Sequence, residues 1–299
     1  MGETVSGKQL SQWQNWAKKE SIASKISPNE VDWLLQEVAE LTHLELRLET
    51  FKNRSKIPLK QSLSELTDLW QQRLTCRLPV QYLVGVTPWR KFKIKVSPDV
   101  LIPRPETEYI IDIVLKAIPE SPLFDIASGN WVDLGTGSGA IALGLADILT
   151  NATIYAVDRS RGALDIAEDN AIEWGFAERI HFKQGFWWTP LEFLRGQVNG
   201  MVSNPPYIPT ELIATLDPEV AYHEPHIALD GGEGGLESIR YLIESSPPYL
   251  RSGGIWLIEM MAGQAEQVAQ LLACQGSYQN IQIFPDFAGI ERFALAYRR

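Results

Sequence analysis

The chain has 299 residues, 45% of them apolar, with 27 basic against 37 acidic side chains, enough for a large core and two domains, and this excludes disorder as the main state. No apolar run reaches the ~18 residues of a membrane span, and the opening MGETVSGKQL lacks the basic-then-apolar order of a signal peptide; a cytoplasmic protein with no membrane partner is expected. Cys76, Cys274 and the scattered His43, His181, His223 and His226 have no paired spacing for a zinc site or a disulfide framework, so no metal is expected.

The net charge of -10 is uneven: residues 1–95 carry 15 basic and 10 acidic side chains, leaving 12 and 27 for residues 96–299. An acidic main body is a poor general partner for duplex nucleic acid, whose affinity comes largely from phosphate neutralisation. The basic excess in the first third reads first as a solvated helical surface and second as a docking surface.

From residue 9 to 78 apolar residues recur at spacings of three and four, as in Val31, Leu34, Leu35, Val38 and Leu41, which places them on one helical face. Two capping boxes are predicted, Ser27 with Glu30 and Pro28 at the first helical position, and Ser62 with Glu65. Between 79 and 106 the period becomes strand-like, with Phe92, Ile94 and Val96 on one face and then Pro98, Pro103 and Pro105; this reads as a β-hairpin linker.

Strands and helices then alternate. Strands are predicted over 131–134, 153–157, 180–182 and 200–203 with helices over 140–149 and 163–174, then strands over 255–258, 281–284 and 293–297 and a helix near 264–274. Such alternation predicts a doubly wound, Rossmann-like α/β sheet of seven strands.

Asp133-Leu-Gly135-Thr136-Gly137-Ser138-Gly139 ends the first of these strands and opens a helix, where glycines let the backbone turn tightly and approach a ligand. Asp158 closes the next strand, placed to accept the hydroxyls of a ribose. Gly135, Gly137 and Ala140 also satisfy a dinucleotide pattern. Asp133, ahead of the glycines, favours S-adenosylmethionine, whose ammonium it is expected to hold and which NAD lacks.

Asn204-Pro205-Pro206-Tyr207 follows the apolar strand that ends at Ser203, at the carboxyl end of the sheet where open α/β folds bind ligands. A planar nitrogen has a delocalised lone pair, so methyl transfer to it needs acceptors that hold its N–H bonds and aim the lone pair. Asn204 Oδ1 and the Pro205 carbonyl are candidates for that role. Tyr207 offers an aromatic face to the substrate's planar group and to positive charge near the methyl. No strong general base is required, because the proton becomes acidic as the N–C bond forms.

With these motifs in hand, the chain resembles the PrmC/HemK family, the protein-(glutamine-N5) methyltransferases of peptide chain release factors. The resemblance spans nearly the whole chain. It rests on Arg77-Leu-Pro79-Val-Gln-Tyr82-Leu-Val-Gly85, on Ile102-Pro-Arg104-Pro-Glu106-Thr107-Glu108, on the glycine loop and NPPY, and on Glu224-Pro225 followed by Ala228-Leu-Asp230-Gly-Gly232.

The resemblance implies S-adenosyl-L-methionine as cofactor. Gly135 to Gly139 would line its methionine part, Asp158 its ribose and Trp187 its adenine, while Asn204 would contact both cofactor and substrate. It further implies that the glutamine of a Gly-Gly-Gln loop in class one release factors lies against Asn204, Pro205, Pro206 and Tyr207. The expected organisation is a helical substrate-recognition domain over 1–87, a hairpin linker over 88–105 and a methyltransferase domain over 106–299, acting as a monomer without nucleic acid.

Two segments depart from the family pattern. Phe186 stands where an acidic residue usually precedes Trp187, and Glu259-Met-Met replaces a common Glu-Ile-Gly, a change expected to affect only local packing. Trp188 is expected in the core. Arg104 and Glu106 read equally as an ion pair ordering the linker or as substrate contacts, and Glu224 as a turn residue or an anchor of the NPPY loop. His223 and His226 read as polar loop residues. The alternatives are an adenine-N6 methyltransferase of DNA or RNA, a silent S-adenosylmethionine-binding interaction factor, favoured only by Phe186, and a NAD-dependent oxidoreductase, for which no hydride-transfer site is found.

Overall fold

A computed structural model of the chain describes residues 2–299; the first residue of the expected 1–87 domain lies outside them. The chain forms two compact units, one running to Gly85 and taking in Pro218–His223, the other comprising Val86–Asp217 and Glu224–Arg299.

In the first unit β1 (Thr4–Val5) pairs antiparallel with β2 (Ile57–Pro58) beside the helices α1 (Gly7–Ala23), α2 (Asn29–Ala39), α3 (His43–Arg47), α4 (Leu63–Cys76) and α5 (Val80–Val84). The three-four spacing holds: Val31, Leu34, Leu35 and Val38 turn into one core with Leu10, Phe51 and Trp70. The capping box at Ser62 forms, with the Glu65 N–H donating to Ser62 Oγ and the Ser62 N–H to Glu65 Oε2. Boxes that the sequence reading passed over stand at Ser6 with Gln9 and at Thr42 with Glu45.

The expected box at Ser27 does not form. Pro28 occupies the N-cap, and Glu30 instead receives Arg73 of α4, with Nε 2.7 Å from Oε2 and an Nη 3.0 Å from Oε1. A buried guanidinium needs a paired carboxylate more than a solvated helix end needs a cap. The other side of Arg73 binds Glu219 at 2.8 Å, which also pairs with Arg77 at 2.7 Å. His223 donates through Nε2 to the Cys76 carbonyl at 2.6 Å. These bonds fix the 218–223 segment on the helices, so His223 has a structural partner that its loop position did not reveal.

The second unit opens with the hairpin β3 (Val86–Trp89) and β4 (Phe92–Lys95), in which Phe92 and Ile94 are buried. The side chain of Asn170 brackets Lys95, accepting its N–H at 2.7 Å and donating to its carbonyl at 3.1 Å. The hairpin is therefore stitched to this unit.

There follow α6 (Tyr109–Ala117), β5 (Asn130–Leu134), α7 (Ala140–Ile148), β6 (Thr153–Asp158), α8 (Arg161–Glu173), β7 (Ile180–Gln184) and β8 (Val198–Ser203). After α9 (Pro218–Ala221), which belongs to the first unit, come α10 (Glu237–Ser245), β9 (Leu250–Glu259), α11 (Ala265–Gln275), β10 (Tyr278–Pro285) and β11 (Glu291–Arg298). The seven strands β5 to β11 form one sheet in the order β10-β11-β9-β8-β5-β6-β7, parallel except where β11 pairs with β10 and β9. This is the Rossmann-like α/β architecture the alternation predicts. The order reverses at β5, and a doubly wound sheet opens a crevice at such a reversal, beyond the carboxyl ends of its strands.

Candidate active site

Strand register brings the motifs to one edge of the sheet. Leu134 pairs with Val157 and with Ser203, and Ser203 pairs with Ile258; the glycine loop, Asp158, Asn204 and Glu259 therefore emerge side by side. A cavity of about 380 Å³ opens there, with Gly135, Gly137, Asp158, Trp187, Asn204 and Pro206 in its wall. That size is ordinary for a small-molecule cofactor.

The loop after β5 is held from both strands. The N–H groups of Gly135 and Thr136 donate to the Val157 carbonyl at 2.9 and 3.0 Å. Gly135 has φ of 76°, and a Cβ there would stand 3.3 Å from the Trp187 ring, so glycine is what lets the indole lie against the loop. Trp187 itself adopts φ of 48°, an unusual conformation for a bulky residue and a mark of a position constrained by its site. Trp188 turns the other way, into the core, stacked on Tyr249 at 4.3 Å with its Nε1 donating to Ser246 Oγ.

Asp158 Oδ2 accepts the Gly137 N–H at 3.0 Å and Oδ1 the Ser160 N–H at 2.9 Å. Burial raises its pKa and these N–H bonds oppose the rise. Asp133 does not reach the cavity wall: it is fully enclosed, and its Oδ2 accepts from Thr136 Oγ1 at 2.6 Å and from the Ala142 N–H at 3.1 Å, tying the loop to the first turn of α7. Its Oδ1 is buried with no hydrogen-bond partner among the described residues, and burial pushes its pKa up to about 7. Thr136, Ser138 and Gly139 shape the loop from outside the wall; Ser138 offers its carbonyl to Asn170 Nδ2 at 2.9 Å.

Asn204 donates through Nδ2 to Thr107 Oγ1 at 3.3 Å, Thr107 Oγ1 donates to Glu259 Oε2 at 2.6 Å, and Tyr207 donates its hydroxyl to Glu259 Oε1 at 2.9 Å. Pro205 is buried, and neither it nor Tyr207 lies in the cavity wall. Burial and the neighbouring Glu259 carboxylate hold the Tyr207 phenol well above its usual pKa, so it stays protonated and acts as a donor.

Arg104 binds Glu224 at 2.6 Å, and Glu224 is almost fully buried. The ion pair at the proline-rich segment is thus made with Glu224 and not between Arg104 and Glu106, and Glu106 remains exposed. Phe186 lines the cavity, with the rings of Trp187 and Tyr241 at 5.9 and 5.2 Å. Thr107 and Glu259 carry no individual signal in the sequence, although Thr107 lies inside the Ile102-Pro-Arg104-Pro-Glu106-Thr107-Glu108 segment on which the resemblance rests. The wall also includes Asp99, Arg159, Ser160 and Ser238, which no local pattern singles out.

These features fit S-adenosylmethionine. The Asp133 carboxylate enclosed behind the glycine loop suits a nearby cationic amine by charge, the Asp158 carboxylate suits a pair of hydroxyls, and the Gly135–Trp187 contact leaves an aromatic wall for a flat base.

The family model for the methyltransferase small domain matches residues 111–215. The chain is 52% identical to the release factor glutamine methyltransferase of Synechocystis sp., covering 98% of this chain and 97% of that one. It is 43% identical to that of Thermosynechococcus vestitus (98% and 99%) and 40% identical to that of Gloeobacter violaceus (95% and 96%). Among solved structures the hMettl16 catalytic domain, in complex with a 3'UTR hairpin, superposes with a TM-score of 0.55 at 20% identity over 77% of this chain and 82% of that one, a likeness of fold alone. Identity of this extent over the whole length, joined to the glycine loop, Asp158 and NPPY on one sheet edge, places the chain in the release factor glutamine methyltransferase family.

Proposed function

We propose that the chain methylates the side-chain amide nitrogen, N5, of the glutamine in the Gly-Gly-Gln motif of class one peptide chain release factors. The observation that carries this reading is Asn204 at the wall of the cavity, anchored through Nδ2 with its Oδ1 left to accept. S-adenosylmethionine supplies an electrophilic methyl group on a sulfonium. Gly135, Gly137, Asp158 and Trp187 would hold it, with Thr136, Ser138 and Gly139 fixing the loop and the enclosed Asp133 carboxylate favouring its ammonium by charge from behind that loop.

The work of the remaining residues is positioning. Asn204 Oδ1 and the Pro205 carbonyl accept the two N–H bonds of the glutamine amide and direct its nitrogen toward the methyl in line with the bond to be broken. Pro206 stiffens the loop. Tyr207, its hydroxyl bound to Glu259, supplies aromatic surface beside the amide. As the N–C bond forms the methyl–sulfur bond would break, leaving neutral S-adenosylhomocysteine, and the nitrogen, acidified by the new bond, would release its proton to water, so no strongly basic side chain is required. Glycines flanking the target fit a narrow entrance, because a backbone without side chains can advance and present one glutamine.

The helical unit is proposed to recognise the release factor, and the enzyme to act as a cytoplasmic monomer that needs no nucleic acid. The acidic balance of residues 96–299 supports a protein acceptor over a polyphosphate one. The test is transfer of labelled methyl from S-adenosylmethionine to a purified release factor, offered beside single-stranded and duplex DNA and RNA. Label on the release factor alone supports the proposal. Label on adenine supports the nucleic-acid reading, and cofactor binding without transfer supports a silent module.

A further inference from the structure

A hydroxyl carries one proton, and where that proton goes decides what its oxygen can offer to a third group. Glu259, at the end of β9, is 2% exposed, and its two oxygens each accept one hydroxyl proton, from Thr107 at 2.6 Å and from Tyr207 at 2.9 Å. With its proton committed to Glu259, Thr107 Oγ1 meets Asn204 only as an acceptor. The Asn204 amide must then present Nδ2 to it, as it does at 3.3 Å, and its oxygen is turned to the other side.

The oxygen and nitrogen of an amide are nearly the same size, so packing alone selects poorly between the two orientations. From this geometry we infer that Glu259 and Thr107 are positioning residues that set the polarity of Asn204, fixing its amide so that oxygen, not nitrogen, faces the acceptor amide of the substrate. The inference rests on the proposed reaction, in which that oxygen accepts a glutamine N–H.

A flipped Asn204 would set N–H against N–H and repel the substrate nitrogen at the moment it must be aimed. Burial raises the Glu259 carboxyl, while the bonds from Thr107 and Tyr207 and the Arg292 guanidinium favour its charged form and Glu106 opposes it. The Tyr207 backbone is held independently: its carbonyl accepts from Gln264 Nε2 at 3.0 Å. The hydroxyl–carboxylate chain is therefore not what keeps the NPPY loop in place.

The experiment compares the full-length wild type with Thr107→Ser, Thr107→Val, Glu259→Gln and the double variant Thr107→Val/Glu259→Gln, in methyl transfer to a release factor and in the 15N-resolved side-chain amide signal of Asn204. Thr107→Ser keeps the hydroxyl and is expected within about threefold of wild-type kcat, since it preserves the proton path. Thr107→Val, nearly isosteric, and Glu259→Gln, which gives Thr107 a donor, are each expected to lower kcat on the order of 10²-fold with KM for the release factor little changed. The double variant is expected to be no worse than the poorer single one, because one chain of bonds is broken in both.

In the wild type the Asn204 NH2 protons are expected to exchange slowly with solvent, and in Thr107→Val to exchange fast. Near-wild-type kcat in Thr107→Val, multiplying losses in the double variant, or fast Asn204 exchange in the wild type would each overturn the inference. If Glu259→Gln does not fold, Thr107→Val and the wild-type signal still decide. A wild type that methylates no release factor sinks the proposed reaction, and the exchange measurement then judges the amide orientation on its own.

Discussion

Asp133 does two things with two oxygens. Oδ2 braces the glycine loop against α7, and Oδ1 lies buried without a partner. Its carboxyl titrates at about 7 in the fold against an ordinary 3.8, so between those values the folded chain holds a proton that the unfolded chain has released. Stability from this group is therefore lost as pH rises through that window. The melting temperature of Asp133→Asn relative to wild type, both free of cofactor, is expected to rise between about pH 5 and pH 8. Over the same range affinity for S-adenosylhomocysteine should rise in the wild type, as the enclosed carboxylate behind the glycine loop gains the charge that favours the ammonium, and stay flat in the variant; calorimetry at several pH values checks both. Asn204→Ala removes a preorganised acceptor and is expected to cost on the order of 10²–10³ in kcat, read in single-turnover methyl transfer, with the fold unchanged. At this scale the site was half legible. Asn204, Asp158 and the glycines announce themselves by motif, whereas Glu259 acts on Asn204 through Thr107, 152 positions from Glu259 in the chain, a distance at which no local pattern speaks.

Among the elements, Arg73 shows how a remote partner overrides a local signal. Ser27, Pro28 and Glu30 have the right order for a capping box, yet Glu30 serves the buried guanidinium of α4. Arg73→Met is expected to destabilise the helical unit by about 3 kcal/mol, at the lower end for breaking a buried pair because both carboxylates keep some water. It should also speed proteolytic cleavage within 218–223, where Glu219 loses a partner; denaturant melts and limited proteolysis measure the two effects. The seven strands were readable because buried parallel strands are short apolar runs bounded by turn residues. The helix α6 was not, since its sequence YIIDIVLKA is an apolar run too short for periodicity to separate helix from strand. Nor was α10, which follows a glycine-rich stretch and carries no side-chain N-cap. The hairpin was legible as a hairpin, but its attachment through Asn170 depends on a side chain of α8, far along the chain.

For the whole molecule, the charge asymmetry and the sheet edge bear on what the acceptor is. An enzyme acting on duplex nucleic acid draws its affinity from basic surface, and residues 96–299 carry 27 acidic against 12 basic side chains. The fold likeness to a domain solved with an RNA hairpin reflects a scaffold that hosts many acceptors, and the acceptor is decided by the site. The central claim is the identity of the methylated atom. The most direct measurement is tandem mass spectrometry of a release factor after incubation with the enzyme and S-adenosylmethionine, beside the same factor with the Gly-Gly-Gln glutamine changed to alanine. One methyl group is expected on the side-chain nitrogen of that glutamine and none on the variant. A methyl group on any other residue, or equal labelling of the variant, would contradict it.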